Sequence, residues 1–485
     1  MTACKAVLLG FKSRPLLHLT QKKVRTMKVY NTLSRSKEEF TPLHTGRVNM
    51  FVCGPTVYDY SHIGHARTYS YYDILAKYLK HKGLSVFYVM NITDVDDKII
   101  KRAREQGIKP LDLARKYEKE FFKDMNALNI NTVNLFPRAS EHITEIIEQI
   151  EGLISKGFAY VTPSGNVYYD ISKFPDYGKL GRKNLEELSE HRIEPDPEKK
   201  NPADFALWKI KDEEIGWDSP WGKGRPGWHI EDTAITVTYL GPQYDIHGGA
   251  IELAFPHHEA EIAQAEAYTG KKPLVRYWVH TGLLLVEGRK MSKSLGNFIT
   301  VREVLENHRA EALRLYFAMS HYRSEMNYSE KGLEQAEETL STIYDSMMLA
   351  ESTEGKGSIE AEVKKAEQDF RSAMEDDLNT PKAVSVLVQA LRNANRTIEK
   401  EGGLNANSKR MLLSFAGTAG EILGILPRKF NSQHVIESLV EYLLSERQAA
   451  RNKKDYARSD EIRNTLIKAG ITVKDTKFGT LWRIR

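Results

Sequence analysis

In the stretch FPHHEAEIAQ, which starts at Phe255, His257 and Glu261 stand four apart. Pro256 suits a helix N-terminus, because its fixed φ fits the first turn and it has no N–H to leave unpaired. The residues after it are good helix formers as far as the Tyr268–Gly270 stop. On such a helix the imidazole and the carboxylate share one face. Two readings are open: a hydrogen bond on a solvated surface, or half of a metal site. Cys53 follows an apolar run and Asp232 lies in GWHIEDTAI. Cysteine, aspartate, histidine and glutamate all ligate zinc. The four are far apart in sequence, so nothing local brings them together.

Two further segments have the chemistry of phosphate handling. His62-Ile63-Gly64-His65 falls between an apolar run and a helical pattern. Glycine allows close approach of a ligand, a helix N-terminus presents N–H groups, and imidazoles donate to developing negative charge. The alternative is a capping histidine followed by a turn. Lys290-Met291-Ser292-Lys293-Ser294 lies between Gly288 and Gly296. Lysines two apart, with hydroxyls and bracketing glycines, make either a mobile clamp for nucleotide phosphates or a solvated basic loop.

The surrounding pattern supplies the frame. Val48–Val52 and Ser85–Ile92 read as buried strands, and the helical spacing of Tyr72, Leu75, Tyr78 and Leu79 predicts a helix over about Ala66–Lys82. Strand, helix, strand, helix with short links predicts a parallel α/β sheet. Ligands of such sheets gather at the carboxyl ends of strands, which places Cys53, His62, His65 and Thr93 at one rim. NVYYDI reads as a hairpin strand and Trp217–Trp228 as a loop; Ala234–Leu240, Tyr244–His247 and Tyr277–Leu285 read as strands. From Arg302 to about Arg451 helical patterns dominate, with polar breaks near Glu354–Ser358 and Asn405–Ser408.

The chain has 485 residues, enough for several domains, with 41% hydrophobic and 28% charged residues. No run approaches the roughly 18–20 apolar residues of a membrane span, so a soluble protein is expected. Two cysteines, Cys4 and Cys53, fit a reducing compartment better than a disulfide framework. The net charge of +5 is uneven: residues 447–485 hold eleven Lys/Arg against four acids. That basic end on an acidic body suits an anionic partner such as nucleic acid, or simply a solvated helix face. Residues 1–26 are basic and acid-free, and Met27 follows them. They read as a non-native upstream start, with an organelle transit peptide as the alternative.

Taken together, HIGH and KMSKS about 225 residues apart, on an α/β pattern followed by helices, resemble a class I aminoacyl-tRNA synthetase. FVCGPTVYDYSHIGHAR, NITDVDDKI, GRPGWHIE, FPHHEAEIAQ and KMSKSLGN, in this order, are similar to the cysteinyl-tRNA synthetase family. The tail ARNKKDYARSDEIRNTLIKAGITVKDTKFGTLW is similar too, so the resemblance covers about residues 27–485.

The resemblance implies a Rossmann-like catalytic domain over 27–300 with an inserted region at about 120–230. A helical stem and bundle would follow over 301–424, then a basic anticodon-binding region over 425–485. It implies one Zn²⁺ held by Cys53, His257 and Glu261, with Asp232 where the family has a second cysteine. Asp232 is then either a harder ligand or a group behind one. It implies Mg²⁺ with ATP. Catalytic roles fall to His62, His65, Lys290 and Lys293, and ATP contacts to His62, Gly64, His65, Lys290, Ser292 and Lys293. Thr93, Trp228, His229 and His247 would line the cysteine pocket. Trp482 and Arg483 would contact tRNA, although a tryptophan in a terminal strand equally plugs a core. The implied reaction forms cysteinyl-adenylate from L-cysteine and ATP and transfers it to tRNA(Cys). The segment between HIGH and KMSKS looks too short for a large editing domain. A monomer without membrane attachment, in the cytoplasm, is expected. The rival readings are a cysteine ligase acting on an amino sugar and a non-catalytic tRNA-binding paralogue.

Overall fold

Five buried positions in a row from Val48 to Val52, all apolar but Asn49, form the buried length of β1 (Arg47–Val52). Such a strand has both faces covered, as in a parallel sheet flanked by helices. The computed structural model describes residues 27–182, 196–210, 215–291, 296–426, 432–476 and 479–484. After β1 the chain runs through α1 (Ile63–His81) into β2 (Ser85–Met90). Much later it passes through helix α2 (Trp228–Leu240), β3 (Tyr244–Ala250), helix α3 (Glu259–Thr269) and β4 (Val275–Thr281). All pairings are parallel and the spatial order is β4-β3-β1-β2. The chain leaves β1 toward one edge and β3 toward the other. A crevice therefore opens at the carboxyl ends of β1 and β3, the switch point where α/β sheets bind ligands.

Helix α1 is pinned to that crevice. The Tyr72 hydroxyl donates to Val279 O at 2.6 Å and to Gly249 O at 3.0 Å. Gly248 makes this close approach possible, since a Cβ there would lie 2.4 Å from the Tyr72 ring.

Ala234–Leu240 is helix, not the strand its β-branched run suggests. β-Branching costs only tenths of a kcal/mol per residue in a helix, roughly a quarter of what burying a single Ile or Val side chain returns. Ile230, Ala234 and Ile235 are buried, and the threonines bond within the helix: Thr236 Oγ1 to Thr233 O at 3.2 Å, Thr238 Oγ1 to Ala234 O at 2.8 Å.

Between β2 and α2 an antiparallel sheet forms from Ala159–Val161, Val167–Tyr169, Phe205–Ile210 and Gly224–Pro226. After β4 a small platform follows: β5 (Leu284–Val286) pairs antiparallel with β6 (Arg289–Lys290) and parallel with β7 (Met326–Tyr328). Helices then dominate: Val301–Asn307, Ala310–Ala318, Glu330–Ser352, Glu360–Glu375, Thr380–Glu401 and Ala406–Leu423. Fully buried Arg314 ties them to α1, donating to Asp73 Oδ2 at 2.7 Å and to Leu423 O at 3.1 Å.

Two compact units result, Met1–Ile425 and Leu426–Arg485. In the second, helices Ser432–Asn452 and Tyr456–Lys468 accompany an antiparallel hairpin of Ile471–Thr476 and Gly479–Ile484. Its core contains Val440, Ile462, Leu466, Ile471 and Val473, and Trp482 packs against it. The Arg483 side chain lies outside the described residues. Among the described residues, no helix is long and apolar enough to cross a membrane.

Candidate functional site

Cys53 is the first residue beyond β1, and its amide donates to Gly248 O of β3 at 3.0 Å. The thiol therefore stands in the crevice. Gly54 comes next because the chain passes against Asn91, where a Cβ would lie 1.7 Å from a carbonyl oxygen. Asp232 arrives from the first turns of α2. His257 and Glu261 arrive from the helical run that Pro256 begins, after extended Phe255, and that continues as α3.

These four meet. His257 Nε2 is 3.0 Å from Glu261 Oε1 and 3.1 Å from Asp232 Oδ2, and Cys53 Sγ is 3.4 Å from Asp232 Oδ2 and 3.8 Å from Glu261 Oε1. Two more imidazoles join them: His258 Nε2 at 3.0 Å and His247 Nε2 at 3.4 Å from the same sulfur. Either Cys53, Asp232, His257 and Glu261 or Cys53, His247, His258 and Glu261 has its ligand atoms within 4.8 Å of one another, all buried.

A surrounding layer orients the donors. Asn91 Nδ2 holds Asp232 Oδ1 at 2.5 Å, which leaves Oδ2 facing His257. The Tyr244 hydroxyl meets His247 Nδ1 at 2.7 Å, His229 Nδ1 meets His257 Nδ1 at 2.8 Å, and His280 Nε2 meets His258 Nδ1 at 2.8 Å. Partners on the far ring nitrogen fix tautomer and direction, as around metal ligands.

The electrostatics follow from depth. Burial, then Glu261 and Asp232, push the Cys53 thiol well above its ordinary range. Burial, then Asp232, raise the Glu261 carboxyl. Burial drives His229, His247 and His258 well down. Acids crowd together with neutral imidazoles, the arrangement that a dication reverses by displacing protons from its ligands. Sulfur, imidazole nitrogen and carboxylate oxygen in one buried cluster can hold a metal ion.

Of the expected pocket residues, Trp228 is 40% exposed and its ring stacks on His257 with centroids 4.2 Å apart. Thr93 is buried; its hydroxyl donates to Glu231 and accepts from Asn91 Nδ2 at 3.3 Å. His229 bonds His257, and Phe205 meets its ring edge-on at 5.4 Å. His247 lies inside the metal-capable cluster itself. Spacing missed His258. It follows His257 directly, so it points about 100° round the helix from the face that His257 shares with Glu261. Asn91, Glu231, Tyr244 and His280 carried no local signal at all.

At the rim, His62 is the N-cap of α1. Its Nδ1 accepts from Gly64 N at 3.1 Å and from His65 N at 3.3 Å. The capping reading is thus realised, and those two amides are taken rather than open to a ligand. With Nδ1 an acceptor, the neutral ring carries its hydrogen on Nε2, a donor. His65 stacks on His62 at 3.7 Å. Met291 and the chain from Ile299 to Val301 come to the same place. Ile63 N donates to Ile299 O at 3.1 Å, Val301 N to Ser61 O at 2.9 Å, and a Cβ on Gly64 would lie 3.0 Å from Met291 Cε. Lys290 is ion-paired with Glu252; Ser292 and Lys293 lie outside the described residues. Tyr69 joins rim to cluster, stacked on His65 and hydrogen-bonded to Cys53 O at 3.4 Å.

Burial and the Lys98 charge lower the His65 imidazole to about 4; burial and Arg35 lower His280 to about 3, against an ordinary 6.5. Below 6.5 the unfolded chain binds protons that the folded chain does not, so these groups favour folding above 6.5 and lose that contribution as pH falls toward their folded values. Thermal melts at about pH 7.5, 6 and 5 should show Tm falling below pH 6.5. A Tm unchanged across that range would contradict it.

Comparison with known proteins gives the same picture. Residues 39–338 match the family described as tRNA synthetases class I (C) catalytic domain, residues 369–427 the DALR domain, and residues 436–483 the cysteinyl-tRNA ligase anticodon binding domain. The chain is 44% identical over 472 residues to a cysteine–tRNA ligase of Thermococcus onnurineus, covering 94% of this chain and 99% of that one. It is 45% identical over 487 residues to a cysteine–tRNA ligase of Maridesulfovibrio salexigens, covering 94% and 100%. Among solved structures, Mycobacterium tuberculosis methionyl-tRNA synthetase with methionyl-adenylate superimposes with a TM-score of 0.58 at 14% identity, over 79% of this chain and 90% of that one. At that identity the likeness speaks for the fold alone.

Proposed function

The chain belongs to the cysteinyl-tRNA synthetase family, activating cysteine with ATP and charging tRNA, and from that premise we propose how its residues divide the work. Cys53, Asp232, His257 and Glu261 hold Zn²⁺. When bound, zinc supplies a soft Lewis acid that prefers a thiolate over the serine hydroxyl. Asn91 keeps one Asp232 oxygen turned inward, so the aspartate stands as a harder ligand where the family has a second cysteine. Trp228 covers the pocket mouth, and Thr93, His229 and His247 line its wall.

ATP, with Mg²⁺, binds over the HIGH segment. The cysteine carboxylate attacks the α-phosphorus in line. The O–P bond to cysteine forms as the bond to pyrophosphate breaks. His62 donates through Nε2 to the phosphates, with His65 stacked behind it. Lys293, assisted by Lys290, holds the leaving pyrophosphate. Glu252 restrains Lys290 until phosphate competes for it. The tRNA terminal 2′-OH then attacks the adenylate carbonyl, releasing AMP. The work is positioning and electrostatics rather than covalent catalysis.

The observation that carries this reading is the meeting of Cys53, Asp232, His257 and Glu261 in one buried cluster, linked through Tyr69 to the HIGH segment, which Ile299 and Val301 hold by backbone hydrogen bonds. Cysteine-dependent ATP–pyrophosphate exchange, with and without tRNA(Cys), tests it. Exchange is expected without tRNA. Removing 426–485, which takes away the basic unit with Trp482 and Arg483, should reduce tRNA charging far more than exchange. Equal loss of both would assign that unit to the fold instead.

A further inference from the structure

Arg67, on α1 just beyond His62 and His65, is 1% exposed, and no carboxylate pairs with it among the described residues. Backbone carbonyls meet its two terminal nitrogens instead, while the buried Nε has no partner among the described residues. Nη1 donates to Gly282 O at 2.7 Å and Leu283 O at 2.8 Å. Nη2 donates to Ser324 O at 2.5 Å, with His321 O and Tyr322 O each at 3.4 Å. These carbonyls belong to two separate segments. Gly282 and Leu283 lead straight into β5, and Ser324 lies just ahead of β7.

Those strands are neighbours in the platform that carries the basic loop. β5 pairs with β7 on one side and with β6 on the other, and β6 ends on Lys290. The two segments also touch where the guanidinium spans them. A Cβ on Gly282 would lie 2.3 Å from Ser324 O and 2.6 Å from Arg323 O. Beside this contact Thr68 Oγ1 of α1 meets Thr281 Oγ1 of β4 at 3.0 Å.

A buried cation without a counter-ion is costly unless polar groups converge on it. A helix could be anchored here by apolar packing at no such cost. The use of a charge is explained by what it grips. A rigid, planar fork reaches two strands at once, which a lysine's single ammonium does not. We propose that Arg67 is a positioning residue for amino-acid activation: it fixes the platform strand β6, which ends on Lys290, at a set distance from the histidines at the start of the same helix. The proposal rests on the reading of Lys290 and Lys293 as the phosphate-holding pair.

The test uses full-length, zinc-loaded enzyme and cysteine-dependent pyrophosphate exchange. In Arg67→Met, kcat should fall about 10²-fold, the scale of a 1 Å misplacement, and KM for ATP should rise. KM for cysteine and zinc content should not change. Arg67→Lys should show the same pattern in weaker form. Gly282→Ala leaves the guanidinium in place but forces the two segments apart, so it should reproduce the ATP-side loss; it supplies the readout should Arg67→Met not fold. Wild-type kcat and ATP KM in folded Arg67→Met or Gly282→Ala, or equal losses toward ATP and cysteine, overturn the proposal. Lys293→Ala run alongside separates the two ideas. Normal exchange in Lys293→Ala overturns the reading of the loop and this proposal with it. Loss in Lys293→Ala with normal Arg67→Met overturns only the role of Arg67.

Discussion

Cys53→Ser should yield a folded enzyme that has lost its zinc and its grip on cysteine. The exchange of sulfur for oxygen hardly alters volume at a position that is 6% exposed, so the core around β1 has no cavity to suffer from. The change falls on donor chemistry. Sulfur is the only soft donor in the cluster, since its companions are imidazoles and carboxylates. A serine hydroxyl is not an anion near neutral pH and does not replace a thiolate ligand. Disturbing even the layer behind a metal costs about 10–100-fold in affinity or activity, so loss of the soft ligand should cost at least about 10²-fold in kcat/KM for cysteine. The second consequence is selectivity. Cysteine and serine differ by one atom, and a pocket acting by shape alone separates such isosteres poorly. The ratio of kcat/KM for cysteine over serine should therefore fall along with zinc content by elemental analysis. Full zinc with undiminished selectivity in Cys53→Ser would remove Cys53 from the centre.

How much of this was legible beforehand depended on whether the signal was local. The apolar run Val48–Val52 and the helical spacing of Tyr72, Leu75, Tyr78 and Leu79 are self-contained, and β1 and α1 lie on them. His257 and Glu261 share a face by spacing alone, and their side chains are 3.0 Å apart. Ala234–Leu240 misled because β-branching is a weak preference, and burial of Ile230, Ala234 and Ile235 outweighs it. His258 was hidden because it lies about 100° round the helix from the face that His257 shares with Glu261, yet its Nε2 meets Cys53 at 3.0 Å. Asn91, Tyr244 and His280 act only through contacts that the sheet order creates. His62 carried two open readings, and its Nδ1 makes the capping contacts.

Lys293→Ala should reduce pyrophosphate exchange by about 10²–10³-fold, the usual cost of one preorganised group that meets charge developing in a transition state. Lys290→Ala should cost less. The Lys290 ammonium is engaged with Glu252, and it sits on β6 with its backbone paired to Leu285, so it offers its charge from a restrained place. Lys293 follows Lys290 by three residues in sequence and lies outside the described residues. Pyrophosphate carries more charge as it leaves than it does within ATP. A lysine that meets it there stabilises the transition state more than the ground state, so kcat should fall by a larger factor than KM for ATP rises. Cysteine affinity, measured from the fluorescence of Trp228 stacked on His257, should not move, because that ring packs on the buried Cys53 cluster and not on the loop. A rise in KM for ATP at constant kcat would instead make Lys293 a ground-state anchor, and the catalytic share would then fall to the imidazole Nε2 of His62.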